Sequence, residues 1–230
     1  MAGMMLEGFS DQGITAPLEP GRPVRRRGVA VASSEPDILL DIRRAHTNLA
    51  IWHRTMPADF AASIKPLVAA APFTVVVEDA PEGAVDLLAT RLPHPATLDL
   101  LFDIRRLAMT FAALADSDFT VRIRLEAITG PACHRWHADA VGLRLLCAYW
   151  GPGTEWLPLV GGAPVARKLK ADALPCESSQ IATGAVAILK GEGFPGNAGF
   201  GCIHRSPPAG PGERARLLLC IDEPGRIPLE

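Results

Sequence analysis

The feature that most constrains this 230-residue chain is a change of periodicity near Phe119. From there to Asp222, short apolar segments separated by glycine and proline replace the helical spacing of the preceding residues. The candidate strands are 119–128, 134–138, 142–149, 154–159, 177–181, 185–190, 200–206 and 215–222. About eight short strands within roughly a hundred residues predict a sandwich or barrel of the jelly-roll kind.

Helical patterns dominate the part of the chain before these strands. The clearest helix follows Thr97, where apolar residues recur at three- and four-residue spacing. Further helices are predicted over 34–44 and from Pro57, and strands over 49–52 and 73–77. We therefore predict an α+β fold, in which a double-stranded β-helix (jelly-roll, cupin-like) core has N-terminal helices packed on one sheet.

The domain organisation follows from the same patterns. Residues 1–33 mix glycine, proline and three consecutive arginines with few periodic apolar positions, so we expect a flexible N-terminal arm. Residues 34–230 are predicted to form a single domain, in which 34–118 give helical and mixed support and 119–222 form the barrel.

Composition excludes several classes of protein. The 23 Lys and Arg against 25 Asp and Glu give a net charge of −2, which argues against nucleic-acid or membrane-surface partners. No segment approaches the roughly 18 uninterrupted apolar residues of a membrane span. The N-terminus lacks the pattern of a signal peptide, and the 5 cysteines include no C-x-x-C pair. We expect reduced thiols in a cytoplasmic protein.

Two candidate metal ligands lie in the segment Trp136-His137-Ala138-Asp139. Side chains two residues apart on a strand point to the same face, so His137 and Asp139 are expected to lie side by side. His204, on a later predicted strand, is the remaining candidate histidine. Two imidazoles and one carboxylate form a facial triad that leaves one side of a metal ion open. The sequence therefore predicts that His137, Asp139 and His204 bind one metal ion.

An arginine opens the last predicted strand. Arg216 precedes the apolar run 217–221, so its guanidinium is expected to enter the barrel, where a buried cation needs an anion. Arg214 has the same strand parity and is the second choice.

Together these residues resemble the Fe(II)/2-oxoglutarate dioxygenases, and most nearly their prolyl-hydroxylase-like branch. The resemblance covers about 119–222. It implies that the two histidines and the aspartate bind Fe(II), that 2-oxoglutarate chelates the iron, and that the arginine grips the far carboxylate of 2-oxoglutarate. It thus implies a non-haem oxygenase that hydroxylates an unknown small-molecule or peptide substrate.

From about Ser34 the chain also resembles an uncharacterised bacterial family, domain of unknown function 1826. The segments that carry this resemblance are 136–139, 149–156 and 204–208. It implies no activity.

Four further aromatic residues have two interpretations each. Tyr149 either hydrogen-bonds a bound carboxylate or packs in the core with its hydroxyl paired. Trp136 and Trp156 either line a substrate pocket or belong to the core. His134 either has a structural role or joins the metal site as an additional partner.

Alternatives to the oxygenase use the same segment. Cys133 shares the strand parity of His137 and would suit zinc. This favours an alternative function, a metal-binding accessory or sensor module that holds zinc or iron and has no oxygenase activity. A scaffold without metal is favoured if His137 and Asp139 face opposite sides. The G-x-G-x-x-G match at 191–196 leads into a predicted strand rather than a helix, so we interpret it as a loop and not as a dinucleotide site.

Overall fold

A computed structural model describes residues 29–116, 120–130, 133–169, 178–208 and 215–225. The strands are β1 (Val29–Ser33), β2 (Thr47–Trp52), β3 (Phe73–Asp79), β4 (Val121–Ile128), β5 (Leu143–Trp150), β6 (Glu155–Leu157), β7 (Ser179–Gln180), β8 (Val186–Lys190), β9 (Ile203–Arg205) and β10 (Arg216–Asp222). The α-helices are α1 (Phe60–Ser63), α2 (Lys65–Ala69), α3 (Pro81–Arg91), α4 (Leu98–Ala115) and α5 (Gly162–Ala166), and a 3-10 helix spans Pro36–Arg43. Among the described helices, none combines the length and apolarity that a bilayer crossing requires.

The strands form two sheets. The larger has 7 strands in the order β1-β2-β8-β5-β10-β4-β3, and the smaller has 3 in the order β7-β6-β9. β1 pairs with β2 in parallel, and the other described pairs of strands are antiparallel. The fold is mixed α+β, as the sequence predicts. The N-terminal part of the chain supplies the outer strands β1, β2 and β3, and the later part supplies the four strands between them.

Helix α4 covers one face of the larger sheet. Its apolar stripe, which includes Leu107 and Phe111, packs in one buried cluster with Leu145 of β5 and Leu219 of β10. Each large apolar side chain buried in this way contributes roughly 1.5–3 kcal/mol. Thr97 occupies the N-cap position, but its side chain makes no capping hydrogen bond.

The opposite face of the same strands packs toward the smaller sheet. Leu146 of β5 and Leu218 of β10 belong to a second buried cluster with Cys202, and Trp156 of β6 packs against it. Because side chains alternate along a strand, the even-numbered residues of β4, β5 and β10 lie on this face and the odd-numbered ones on the helix face. This alternation decides which side chains can reach the candidate site.

Two sequence predictions about strands are corrected. β1 lies inside the predicted flexible arm but pairs with β2, while residues 1–28 of that arm lie outside the described residues. The predicted strand 134–138 is reduced to a single bridge between His137 and His204.

The helical region also differs from its prediction. The helix expected from Pro57 is divided into α1 and α2, because Pro66 has no N–H with which to continue the hydrogen bonding of α1. Helix α3 was not predicted, although Pro81 at its first turn and buried Ala84, Val85 and Leu88 give it a start signal and an apolar face.

A buried ionic cluster joins α4 to the sheet on the helix face. The Arg54 guanidinium donates to both carboxylate oxygens of Asp103 at 2.6 and 2.7 Å. The Tyr149 hydroxyl and Arg106 donate to the same carboxylate at 2.7 and 2.8 Å. Burial alone would raise the pKa of Asp103, but Arg54 and the other donors lower it below its usual value.

We expect this cluster to make the protein sensitive to acid. The pKa of Asp103 is lower in the folded than in the unfolded chain, so its stabilisation is present above about pH 4 and is lost as pH falls through the folded pKa. Urea unfolding at about pH 6 and about pH 3 measures the loss in wild type and in Asp103→Asn. The variant should lose less stability on acidification, and an equal loss in both proteins would contradict the assignment.

Candidate metal centre

The three predicted ligands come together beside the smaller sheet. His137 and His204 lie on adjacent segments, and each backbone N–H donates to the carbonyl of the other, at 3.0 and 2.8 Å. Nε2 of His137 lies 3.6 Å from Oδ1 of Asp139, and Nε2 of His204 lies 3.2 Å from Oδ2. One ligand atom from each residue can be chosen so that all lie within 4.8 Å of one another.

Hydrogen bonds to backbone carbonyls determine which ring nitrogen of each histidine is available to bind a metal ion. Nδ1 of His137 lies 2.8 Å from the carbonyl oxygen of Arg135, and Nδ1 of His204 lies 3.1 Å from that of Cys202. A carbonyl oxygen can only accept, so each Nδ1 carries the proton and the neutral ring has its lone pair on Nε2. Both lone pairs are therefore on the atoms nearest the Asp139 carboxylate.

The carboxylate itself has an unfilled position. Oδ2 of Asp139 is buried and has no hydrogen-bond partner among the described residues. Although Nε2 of His204 is only 3.2 Å away, a neutral ring protonated on Nδ1 offers no proton there. Two nitrogen lone pairs and a carboxylate oxygen that face one another repel unless a cation lies between them. This donor set fits one divalent metal ion such as Fe(II).

The electrostatics of the cluster favour the forms that bind a metal. Burial and the neighbouring His204 lower the pKa of His137, which keeps its ring neutral at neutral pH. Burial alone would raise the pKa of Asp139, but His204, Arg144 and His137 lower it well below its usual range. Asp139 is therefore an ionised carboxylate beside the two imidazole rings.

Arg144 of β5, which the sequence does not predict as a site residue, pairs with the candidate ligand Asp139. Its Nη1 forms an ion pair of 2.8 Å with Oδ1 of Asp139. Its Nε and Nη2 donate to the two carboxylate oxygens of Asp222 at 2.6 and 2.8 Å. All three side chains are at least nine-tenths buried, so Arg144 neutralises two carboxylates and leaves Oδ2 of Asp139 for the metal position.

The backbone of Asp139 is supported by the loop 191–199. The N–H of Glu192 donates to the carbonyl of Asp139 at 2.7 Å, and the N–H of Gly191 donates to Gly142 at 2.8 Å. A Cβ atom at position 191 would lie only 2.7 Å from the carbonyl oxygen of Asp139. The glycine-rich match at 191–196 thus contains a glycine required by close packing, and the segment leads into β9 rather than into a helix.

A cavity of about 600 Å³ opens beside the three ligands. Its wall includes His137, His204 and Arg144 together with the apolar side chains Leu146 and Leu218. This volume lies in the range of small-molecule sites.

The predicted arginine clamp lies next to this cavity. Arg216 is the first residue of β10, and its buried side chain is on the face directed toward the smaller sheet. Its Nη1 donates to the Ser206 hydroxyl at 3.3 Å, and Ser206 lines the cavity. Arg214, the second choice, lies outside the described residues.

Tyr149 is not at the candidate site. Its odd-numbered position on β5 directs it to the helix face, where its hydroxyl donates to Asp103 and its ring packs 5.6 Å from that of Phe60. The prediction that Tyr149 binds a carboxylate beside the metal is corrected, and the core interpretation is the right one.

The other pocket candidates do not line the cavity in the part of the chain that the structure describes. Trp136 is buried in a cluster with Leu157 and Ile203, with the Arg205 guanidinium 4.2 Å above its ring. Trp156 packs against the cluster between the sheets, and His134 is exposed. The interpretation of Trp136 and Trp156 as pocket walls is therefore wrong for this cavity.

The cysteines in the described part of the chain do not join the candidate ligand set. Sγ of Cys133 lies 3.7 Å from Nδ1 of His137, on the side of the ring away from Nε2, so it does not complete a zinc site. Burial raises the pKa of Cys202 to about 12, which keeps this thiol protonated and unsuitable as a nucleophile.

Comparisons with solved structures indicate the class of fold. The chain is similar to dioxygenase for auxin oxidation 1 from Arabidopsis thaliana, solved as a complex with 2-oxoglutarate, with a TM-score of 0.50 and 14% identity over 86% of this chain and 92% of that one. It also matches the rice dioxygenase for auxin oxidation (TM-score 0.46, 14% identity, 76% and 73% covered) and a putative oxygenase from Shewanella oneidensis (TM-score 0.47, 12% identity, 85% and 88% covered).

A family model described as "Protein of unknown function (DUF1826)" matches residues 33–222. The chain therefore belongs to this family, as the segments 136–139, 149–156 and 204–208 suggest. No curated protein matches it.

Proposed function

We propose that this protein is a non-haem Fe(II) and 2-oxoglutarate-dependent oxygenase that hydroxylates a small organic substrate. The observation that carries the proposal is the convergence of two imidazole lone pairs on the buried, unpaired oxygen of Asp139. A 2-His-1-carboxylate set with open positions is typical of non-haem Fe(II) oxygenases.

The strand order supports a double-stranded β-helix core. From β4 onward the chain supplies strands to both sheets: β4, β5, β8 and β10 belong to the larger one, and β6, β7 and β9 to the smaller one. The bridge at His137 adds a fourth segment to the smaller sheet, beside β9. Eight segments divided equally between two antiparallel layers are typical of a jelly roll. The similarity in fold to the 2-oxoglutarate complex of the Arabidopsis dioxygenase agrees with this assignment.

Each residue has a defined role in the proposal. His137, Asp139 and His204 would hold the iron, while Ser206 of the cavity wall and Arg216, which donates to it, would bind the distal carboxylate of 2-oxoglutarate. With Fe(II) and 2-oxoglutarate bound, the site would supply hydroxylation of a substrate C–H bond by O2, coupled to conversion of 2-oxoglutarate into succinate and CO2. Leu146 and Leu218 give this space an apolar patch of wall.

Anaerobic spectroscopy tests the proposal. Addition of Fe(II) and then 2-oxoglutarate to the wild-type protein should produce the visible charge-transfer band of a chelated keto acid. Asp139→Ala should not produce the band, whereas Arg105→Met, which changes an arginine on the surface of α4, should retain it. A wild-type protein that binds Fe(II) but develops no band would contradict the oxygenase and favour a metal-holding module.

A further inference from the structure

A second arginine lies in the wall of the cavity, and its Nε has no hydrogen-bond partner among the described residues. Arg124 of β4 has an even number and faces the smaller sheet, and it lines the same cavity as His137 and His204. Its Nε is buried and makes no hydrogen bond within the described ranges. Its charged neighbour, Oε1 of Glu126, is 3.7 Å from Nε, which is too long for a hydrogen bond.

The surroundings of Arg124 differ from those of the other arginine in the described wall. Arg144 uses its guanidinium on two carboxylates at 2.6 to 2.8 Å. Arg124 has no such pairing among the described residues, and its side chain is 33% exposed, so a ligand can reach it. Neighbouring Cys220 and Glu126 raise the pKa of Arg124 despite its burial, so it remains a cation. A guanidinium that faces a cavity and has an unpaired N–H group can bind a ligand that carries a hydrogen-bond acceptor.

We propose that Arg124 binds the carboxylate of the substrate to be oxidised, and that this substrate is a small monocarboxylic acid with an apolar body. The inference rests on the proposed function, because it assigns the substrate class of that site. The guanidinium fork matches both oxygens of a carboxylate in a bidentate pair.

The neighbour of Arg124 selects against more highly charged ligands. The Glu126 carboxylate, also in the cavity wall, would repel a dianion such as a phosphate monoester or 2-oxoglutarate more strongly than a monoanion. We therefore assign the substrate carboxylate to Arg124 and the co-substrate to Arg216 and Ser206.

Part of the remaining wall is apolar and fits the apolar part of such an acid, while threonine and serine side chains line the rest. Phe73, Ile128, Leu146 and Leu218 line the cavity, so a hydrocarbon or aromatic group would be removed from water there. The volume of about 600 Å³ is that of a site for one small molecule together with its co-substrate rather than for a folded partner.

Calorimetric titration with matched acids and amides tests this assignment. The probes are phenylacetate and octanoate against phenylacetamide and octanamide, each added anaerobically to protein loaded with Fe(II) and 2-oxoglutarate and, separately, to metal-free protein. At least one acid should bind wild type about ten-fold or more tightly than its amide, because a charge-assisted pair is lost in the amide. Arg124→Met should abolish this preference, Arg124→Lys should restore part of it, and the surface control Arg105→Met should retain it.

The outcomes separate this inference from the proposed function. Arg124→Met should keep the keto-acid charge-transfer band; loss of the band would make Arg124 the co-substrate clamp and overturn the inference. Equal binding of acids and amides by wild type would also overturn it. If wild type gives no band, the oxygenase proposal fails, but the acid-to-amide preference of the metal-free protein still decides the role of Arg124. Glu126→Gln should tighten phenylacetate about three-fold by removing a repulsion.

Discussion

Replacement of Arg144 by methionine is expected to lower the free energy of unfolding of the metal-free protein by about 3–5 kcal/mol. The variant leaves the carboxylates of Asp139 and Asp222 buried without the cation that pairs with both at 2.6 to 2.8 Å. Removing one partner of a buried ion pair lowers the free energy of unfolding far more than removing one partner of an exposed pair, because the remaining charge stays out of water. Urea unfolding monitored by circular dichroism at neutral pH measures the effect.

Arg105→Met is the matched control for this experiment. Arg105 lies 3.6 Å from Glu82, and both side chains are 47% exposed, so the control should change the free energy by less than about 0.5 kcal/mol. Arg144→Lys should fall between wild type and Arg144→Met, since it keeps the charge but loses the forked geometry. If Arg144→Met lowers the free energy of unfolding as little as the control does, water must reach the carboxylates of Asp139 and Asp222.

The second large effect concerns the metal. His204→Ala is expected to weaken Co(II) binding by at least about a hundred-fold, because loss of a ligand costs more than the 10- to 100-fold typical of its outer partners. A titration that follows the visible absorption of bound Co(II) measures the affinity. The control His134→Ala changes an exposed histidine three residues from His137 and should bind Co(II) within about two-fold of wild type. Comparable affinity in His204→Ala would remove His204 from the ligand set.

The sequence predicts that two histidines and an aspartate lie together as a candidate metal centre, and the structure does bring them together, but the strand geometry assumed for them was wrong. The His-x-Asp spacing assumed a regular strand over 134–138, whereas the structure has one bridge there, between His137 and His204. The three side chains lie together because of this bridge, the ion pair between Arg144 and Asp139, and the hydrogen bond that the N–H of Glu192 donates to the Asp139 carbonyl. None of these long-range contacts leaves a local pattern in the sequence.

The charged residues of the central strands were missed for a different reason. Arg124 and Glu126 alternate with apolar residues on β4, and this pattern is normally that of a strand with one face in solvent. Here the polar positions face a cavity between two sheets instead. Tyr149 was misplaced by the same ambiguity, since strand parity gives the set of residues that share a face but not what that face contacts. Arg144 and Asp222, charged residues in otherwise apolar strands, were the available signal.

The support of Asp139 by Gly191 and Glu192 has a consequence for how this centre changes during evolution. The ligand aspartate takes its position from a glycine-rich turn more than fifty residues away, and that turn carries no ligand of its own. Insertions or substitutions in this remote turn can shift the carboxylate and so retune metal preference while every coordinating residue stays unchanged. Divergence of activity among related chains can therefore begin at positions that an inspection of the ligands alone would pass over.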